Sequence, residues 1–384
     1  MRNNFMKMDK WLLFWTILMF VLGLFMILSS SSVEASLSGV PYYYFVRQAI
    51  ILSVCAAVTI FIISMPMSLF KKLAFPIIII VIGLLIFVFS YGLVVNRARS
   101  WISLGFFNLQ PSEFAKTALI LYMAVYYNKH AKSKNLFVIL VPLIAAACIV
   151  GFVFLQPDAG TALIITLLTA ILFLGIPIDK GVKKIILQIA GLAIGVVIAF
   201  LLIAGPTFLK PGQLERFDYH NPCTKYLSGG SGYQVCNGLI AINNGGLWGV
   251  GLGNSTQKYL YLPAGHTDFI FPIILEELGL IVGIGILLIY AILLYRIMRI
   301  AYRSYNLMGS IIAYGTAIYI FLHIIINLCG VLGIMPLTGV PLPFLSYGGS
   351  YALNLAMLLA LVQRVEIENK RKMQRDVLKR GNLS

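Results

Sequence analysis

Apolar runs of about 20 residues recur along most of the 384-residue chain, and no other feature constrains its fold as strongly. As a helix, a run of that length covers the ~30 Å hydrocarbon layer of a bilayer. Within that layer the backbone must satisfy its own hydrogen bonds, which leaves helices or closed barrels. A barrel would show short segments of alternating polarity, and the sequence has none of that pattern. Hydrophobic residues make up 60% of the chain and charged residues only 11%, against roughly a quarter charged in soluble domains. The sequence therefore reads as all-α: one polytopic membrane domain, 1–384, of about ten transmembrane helices. The apolar segments cover residues 11–33, 42–65, 73–95, 111–127, 136–155, 159–178, 185–205, 268–295, 308–331 and 350–363. The first follows Arg2, Lys7 and Lys10 as a signal peptide would, but it exceeds the ~7–15 residues of a secretory apolar region. It is expected to be retained.

Lys and Arg in the connections set the orientation. With the N-terminus inside, the inward connections hold Lys71 and Lys72, Lys129 to Lys134, Lys180 to Lys184, and Arg296 to Arg303. Residues 364–384 form a basic cytoplasmic tail. The inner face then carries 21 of the 29 basic residues and five of the 13 acidic ones, and so the whole formal charge of +16. The other eight bases and eight acids cancel on the outer face. Basic residues scattered over short loops are topology signals, which argues against a nucleic-acid partner.

One connection is long. Residues 206–267 form a large extracellular loop between helices seven and eight, rich in Gly, Asn and Tyr, and loops of that length are usually functional or disordered. Cys223 and Cys236 both fall in it, where oxidising conditions permit a disulfide; two free thiols are the alternative. No metal-ligand spacing such as C-x-x-C is present.

The charged residues that invite a function gather on the outer side: Arg97 and Arg99 before Trp101, Glu113 with Lys116, Asp158, Asp268 after His266, and Glu276 with Glu277. Their convergence would make a cavity of mixed charge open to the outer leaflet, since ionisable groups at membrane depth are costly and tend to be functional. Each also has a structural reading. Glu113 and Lys116, three apart, could serve only each other. Asp158 could be a turn residue or a cap, and Asp268 could cap helix eight. Glu276 and Glu277 diverge by about 100° and cannot share one partner.

Several long motifs carry a resemblance. They are Asp9-Lys10-Trp11; Arg99–Lys116 as R-S-W-I-S-L-G-F-F-N-L-Q-P-S-E-F-A-K; Gln156–Thr161 as Q-P-D-A-G-T; Gly245–Gly253 as G-G-L-W-G-V-G-L-G; His266–Phe271 with E-E-L-G from Glu276; and Pro341–Ser350 as P-L-P-F-L-S-Y-G-G-S. In that order, almost end to end, they resemble the SEDS family, the FtsW and RodA type of bacterial peptidoglycan glycosyltransferase, with the FtsW-like branch favoured.

The resemblance implies polymerisation of lipid II at the outer face of the cytoplasmic membrane, for division or elongation, beside a class B penicillin-binding protein and other divisome or elongasome membrane proteins. It implies that Asp268 is catalytic, as the base that deprotonates the acceptor sugar. Arg97, Arg99, Lys116, Arg216 or Lys258 would then neutralise the pyrophosphate. A divalent cation, Mg²⁺ or Mn²⁺, is the alternative neutraliser, although the sequence holds no complete metal site. Trp101, Glu113, Asp158, His266, Glu276, Glu277 and Ser346 complete the candidate substrate-binding set. Two departures stand out: Pro263 precedes Ala264-Gly265 where family members commonly have Pro-Glu, and Pro272 follows Phe271. A lipid II flippase and a non-catalytic scaffold of the division machinery are the competing functions.

Overall fold

A computed structural model describes residues 2–95, 98–103, 105, 108–204, 222–225, 231–259, 261–263 and 265–381. Each of the ten apolar segments is a helix: α1 (Lys10–Ser30), α2 (Tyr43–Ser64), α3 (Met67–Tyr91), α4 (Pro111–His130), α5 (Leu136–Leu155), α6 (Ala159–Gly175), α7 (Lys180–Ala204), α9 (Ile270–Tyr302), α10 (Leu307–Val331) and α11 (Gly349–Gly381). An additional helix, α8 (Ser231–Gly245), lies in the long connection. Among the described residues, seven helices are long and apolar enough to cross a membrane. Side-chain caps start several of them. The Leu12 amide donates to Asp9 Oδ1 (2.8 Å), Thr161 to Asp158 Oδ1 (3.0 Å) and Gly309 to Asn306 Oδ1 (2.8 Å), each satisfying a free backbone donor.

Burial inverts the pattern of a soluble protein. The most apolar stretches of α1, α2, α3, α5 and α9 are only 22–28% buried, whereas those of α10 and α11 are 78% and 83% buried and less hydropathic. The hydrocarbon takes the role of the interior for the outer helices, and the polar groups that hold the bundle together sit on the central ones. Helix α4 packs against α3 and α10, and α11 against α2.

Two features depart from the sequence expectation. The fold is not purely helical: Leu93–Val95, Ala98–Ser103 and Asn108–Leu109 form a three-stranded antiparallel sheet, β1 to β3, between α3 and α4. The third apolar segment leaves its helix at Tyr91, and its Val-rich end pairs as a strand, as β-branched residues favour. The final helix also runs 33 residues, straight through the basic segment. Arg364, the head of the expected tail, is buried and donates to the Ile63 carbonyl (3.3 Å) and to Glu368.

Helix α9 is broken at Gly279, whose φ of +84° lies in the left-handed region. The Gly245–Gly253 motif packs into that break. Val250 and Gly251 donate to the carbonyls of Glu276 and Glu277 (2.9 and 3.0 Å), and Leu280 donates back to Gly246 (3.0 Å). Only glycines allow this approach, because a Cβ on Gly279 would lie 2.4 Å from the Leu247 oxygen and one on Gly249 would lie 2.3 Å from the Glu277 oxygen. Gly279→Ala is expected to destabilise the part of the fold around this break by about 3 kcal/mol or more, from left-handed strain plus backbone overlap. Thermal unfolding and proteolysis of the 231–263 segment would measure it; wild-type values in both would contradict this account of the motif.

Candidate functional site

The centre of the molecule is organised by a stretch without regular structure, Gly339–Gly348, between α10 and α11. Pro341 and Pro343 withhold amide donors and block a helix there, and surrounding helices satisfy the freed groups. Asn327 donates to the Val340 carbonyl (2.8 Å), and His323 Nδ1 meets the Pro341 carbonyl (3.3 Å). The Leu342 amide donates to Ser346 Oγ (2.8 Å), and Tyr290 donates to the Pro343 carbonyl. Ser346 is buried, its hydroxyl engaged in closing this turn.

Asp268 stands against this stretch in the turn before α9. A Cβ on Gly339 would lie 3.9 Å from its Oδ2. Its Oδ1 accepts from the Thr267 hydroxyl (2.8 Å), and its backbone carbonyl accepts from the same Asn327 amide that holds Val340 (2.7 Å). One side chain thus fixes both walls. Among the described residues its carboxylate accepts from Thr267 and its own backbone amide, and no α9 amide is bonded to it. Burial raises the Asp268 carboxyl above the ordinary range, with the Thr267 hydrogen bond opposing. That combination suits a proton acceptor.

Beside Asp268, His266 stacks on Tyr44 (4.5 Å between ring centroids) and Tyr347 (5.5 Å), and its carbonyl accepts from the Tyr347 amide (2.9 Å). His266 Nδ1 lies 3.2 Å from Glu34 Oε2, and the Tyr44 hydroxyl donates to Glu34 Oε1 (2.8 Å). Burial lowers the His266 pKa, and the Glu34 carboxylate partly offsets that effect. Arg47, one turn along α2 from Tyr43, covers the Tyr43 ring at 5.6 Å and has no carboxylate partner among the described residues. Glu34, Tyr44, Arg47 and Tyr347 were not anticipated from the sequence. The only local hint was the aromatic-basic string Tyr42-Tyr43-Tyr44 with Arg47 at the head of a helix.

The other charged candidates do not pool in one cavity; among the described residues they sort into separate sets. Glu113 and Lys116 pair at 2.7 Å, and Lys116 Nζ also donates to His323 Nε2 (3.4 Å). Glu277 accepts from Ser29 Oγ (2.7 Å) and pairs with Lys258 (3.0 Å), whereas Glu276 accepts from Asn244, Ser255 and Thr256 and from the Gln257 amide. The two neighbouring acids do point to different partners. Asp158 caps α6 and accepts from Gln110 Nε2 (3.0 Å). Arg99 is exposed, donating to the Ser90 carbonyl (3.4 Å), and Trp101 is half-buried in β2 opposite Leu93. Arg97 and Arg216 lie outside the described residues. Cys223 and Cys236 are joined by a disulfide, tying the short helix Pro222–Lys225 to α8. No group of three His, Cys, Asp or Glu that could hold a metal ion occurs among the described residues.

The model of the FtsW/RodA/SpoVE family, described as "Cell cycle protein", matches residues 10–371. The chain belongs to this family. It is 36% identical to the probable peptidoglycan glycosyltransferase FtsW of Coxiella burnetii, covering 94% of this chain and 97% of that one. It is 35% identical to the Bacillus subtilis protein of the same description (95% and 93% covered) and 35% identical to the stage V sporulation protein E of that organism (93% and 96%). Among solved structures, a chain of a peptidoglycan synthase complex that coordinates polymerization and crosslinking matches with TM-score 0.73 at 25% identity, covering 94% and 98% of the two chains. The rod shape determining protein RodA of Thermus thermophilus matches in fold, with TM-score 0.68 at 23% identity over 94% and 97%. Family membership accounts for the motif order, and the geometry above shows what those motifs do in this chain.

Proposed function

We propose that this chain is a peptidoglycan glycosyltransferase that polymerises lipid II at the outer face of the cytoplasmic membrane, in a division role. With ten crossings and both termini inside, an arrangement the distribution of Lys and Arg supports, the Asp268 turn, the sheet and α8 are on the outer face. The observation that carries the reading is the Asp268 carboxylate, raised by burial, uncommitted to any helix cap and held against Gly339. In the reaction the acceptor 4-hydroxyl attacks the donor anomeric carbon. The new C–O bond forms as the bond to pyrophosphate breaks with one inversion, and Asp268 takes the hydroxyl proton. The pyrophosphate leaves with the electron pair and requires cations.

Lys116 and Lys258 already neutralise Glu113 and Glu277. Arg47, on the aromatic cluster beside His266, has no carboxylate partner among the described residues and is the proposed neutraliser of the leaving group. The class B penicillin-binding protein is the proposed partner, in keeping with the structural neighbour drawn from a synthase complex.

Purified chain, with that partner, is expected to convert labelled lipid II to glycan strands in detergent, where there is no bilayer to flip across. Absence of product under those conditions would favour transport or scaffolding. Arg47→Gln is expected to lower turnover by about 10²-fold, as loss of one transition-state charge contact does. An unchanged rate would remove Arg47 from the mechanism.

A further inference from the structure

At the opposite end of the molecule, three helices line an open-sided cleft of about 330 Å³ formed by Asp9, Lys10 and Trp11, by Arg296, Arg299 and Arg303, and by Glu366 and Lys370. The convergence follows from helical spacing. Arg296 and Arg299 near the end of α9 and Arg303 at its C-cap converge on the cleft, as Glu366 and Lys370, four apart, do on α11. Two ion pairs consume part of the charge, Asp9 with Arg296 and Glu366 with Lys370 (3.1 Å). Lys10, Arg299 and Arg303 are left without an acidic partner among the described residues, and Arg296 Nε is buried without a hydrogen-bond acceptor.

Three unbalanced cations in one concave space repel each other. The carbonyl end of α9 contributes only about half a negative charge against them. Lys10 sits in the first turn of α1, whose positive end Asp9 already caps through the Leu12 amide, so the Lys10 charge itself is left unbalanced. Cations that only set topology need not converge on one cleft, so their convergence calls for a ligand. We propose that this cavity binds the anionic phosphate headgroup of an inner-leaflet phospholipid. The membrane is the favoured source of the phosphate because Trp11, which lines the same cavity, is 60% exposed, and tryptophan settles at headgroup depth. The site lies at the far end of α9 from Asp268; it rests on the proposed orientation with both termini inside, but not on the glycosyltransferase activity.

The test uses the full chain purified in detergent and titrated with short-chain phosphatidylglycerol, with phosphatidylcholine of the same chain length, or with inorganic phosphate. Native mass spectrometry reads the bound lipid, and the lipid-dependent rise in unfolding temperature provides a second readout. Phosphatidylglycerol is expected to bind preferentially. Arg299→Gln/Arg303→Gln should weaken it about thirtyfold, and Lys10→Gln, on a different helix, about fivefold. Lys71→Gln/Lys72→Gln removes two exposed cytoplasmic cations elsewhere and should leave binding unchanged. Equal losses in the two double variants would reduce the effect to general surface charge and overturn the site. Equal binding of phosphatidylcholine would do the same. Inorganic phosphate binding as tightly as phosphatidylglycerol would assign the cavity to a soluble anion and overturn the lipid assignment.

Discussion

Asp268→Asn is expected to reduce lipid II polymerisation by about 10²–10⁴-fold, the usual contribution of a positioned base, while leaving the protein at least as stable at neutral pH. The two expectations have one cause. Burial raises the Asp268 carboxyl above its unfolded value, so the folded chain holds that proton more tightly than the unfolded chain. Such a group stabilises the fold below its unfolded pKa, and that contribution is lost as pH rises through the raised folded value. At neutral pH the ionised carboxylate is therefore a cost, and an amide of the same shape removes it. Asn can still accept from Thr267, so the local geometry survives.

The wild-type rate should fall on the acid side as Asp268 protonates, at a pH above that of an ordinary carboxylate. Unfolding temperatures of both proteins at pH 7, measured beside the polymerisation rate, check the trade-off between stability and activity. A variant that loses activity together with a large drop in unfolding temperature would make Asp268 a structural residue instead.

The sequence exposes the helical segments because a 20-residue apolar run is a property of one dimension. Helix ends are less visible: Leu93–Val95 is as apolar as the helix before it, and only pairing with Arg99 and Trp101 makes it a strand. Arg364 looks like the start of a solvated tail because its acceptor, the Ile63 carbonyl, is 301 positions away. The same distance in sequence hides the site. His266 and Asp268 stand out in a local motif, but Glu34, Tyr44 and Tyr347 reach His266 from the short helix Ser32–Leu37, from α2 and from the stretch before α11. The Pro341–Ser350 motif was readable as a pattern, and its prolines exclude a helix there. Its role as the wall facing Asp268 depends on Asn327 and His323, which no local signal connects to it. The outer charges seemed to promise one shared cavity, and short-range pairing divided them instead.

Lys116→Met should be the most destabilising of the substitutions considered. Lys116 is fully buried, and its ammonium meets the Glu113 carboxylate at 2.7 Å, His323 Nε2 at 3.4 Å and the Tyr319 ring at 5.6 Å. Removing it leaves Glu113 with the Tyr319 hydroxyl, at 3.4 Å, and no cation. Breaking a buried pair from one side costs about 3–5 kcal/mol, because the remaining charge stays out of water unpaired. Replacing both members with apolar residues of similar volume avoids that penalty, so Glu113→Leu/Lys116→Met should recover most of the loss. The coupling in the resulting double-mutant cycle would be large and positive.

Activity should not recover in parallel. Lys116 can only donate, so His323 Nε2 must accept and Nδ1–H must donate to the Pro341 carbonyl. Without Lys116 that tautomer is no longer fixed, and the wall opposite Asp268 loses one of its anchors. Thermal unfolding of the two single variants and the double, each with its polymerisation rate, separates the two effects. A double variant with restored stability and full activity would show the pair to be structural only. Restored stability with low activity would place Lys116 and His323 in the positioning of the catalytic wall.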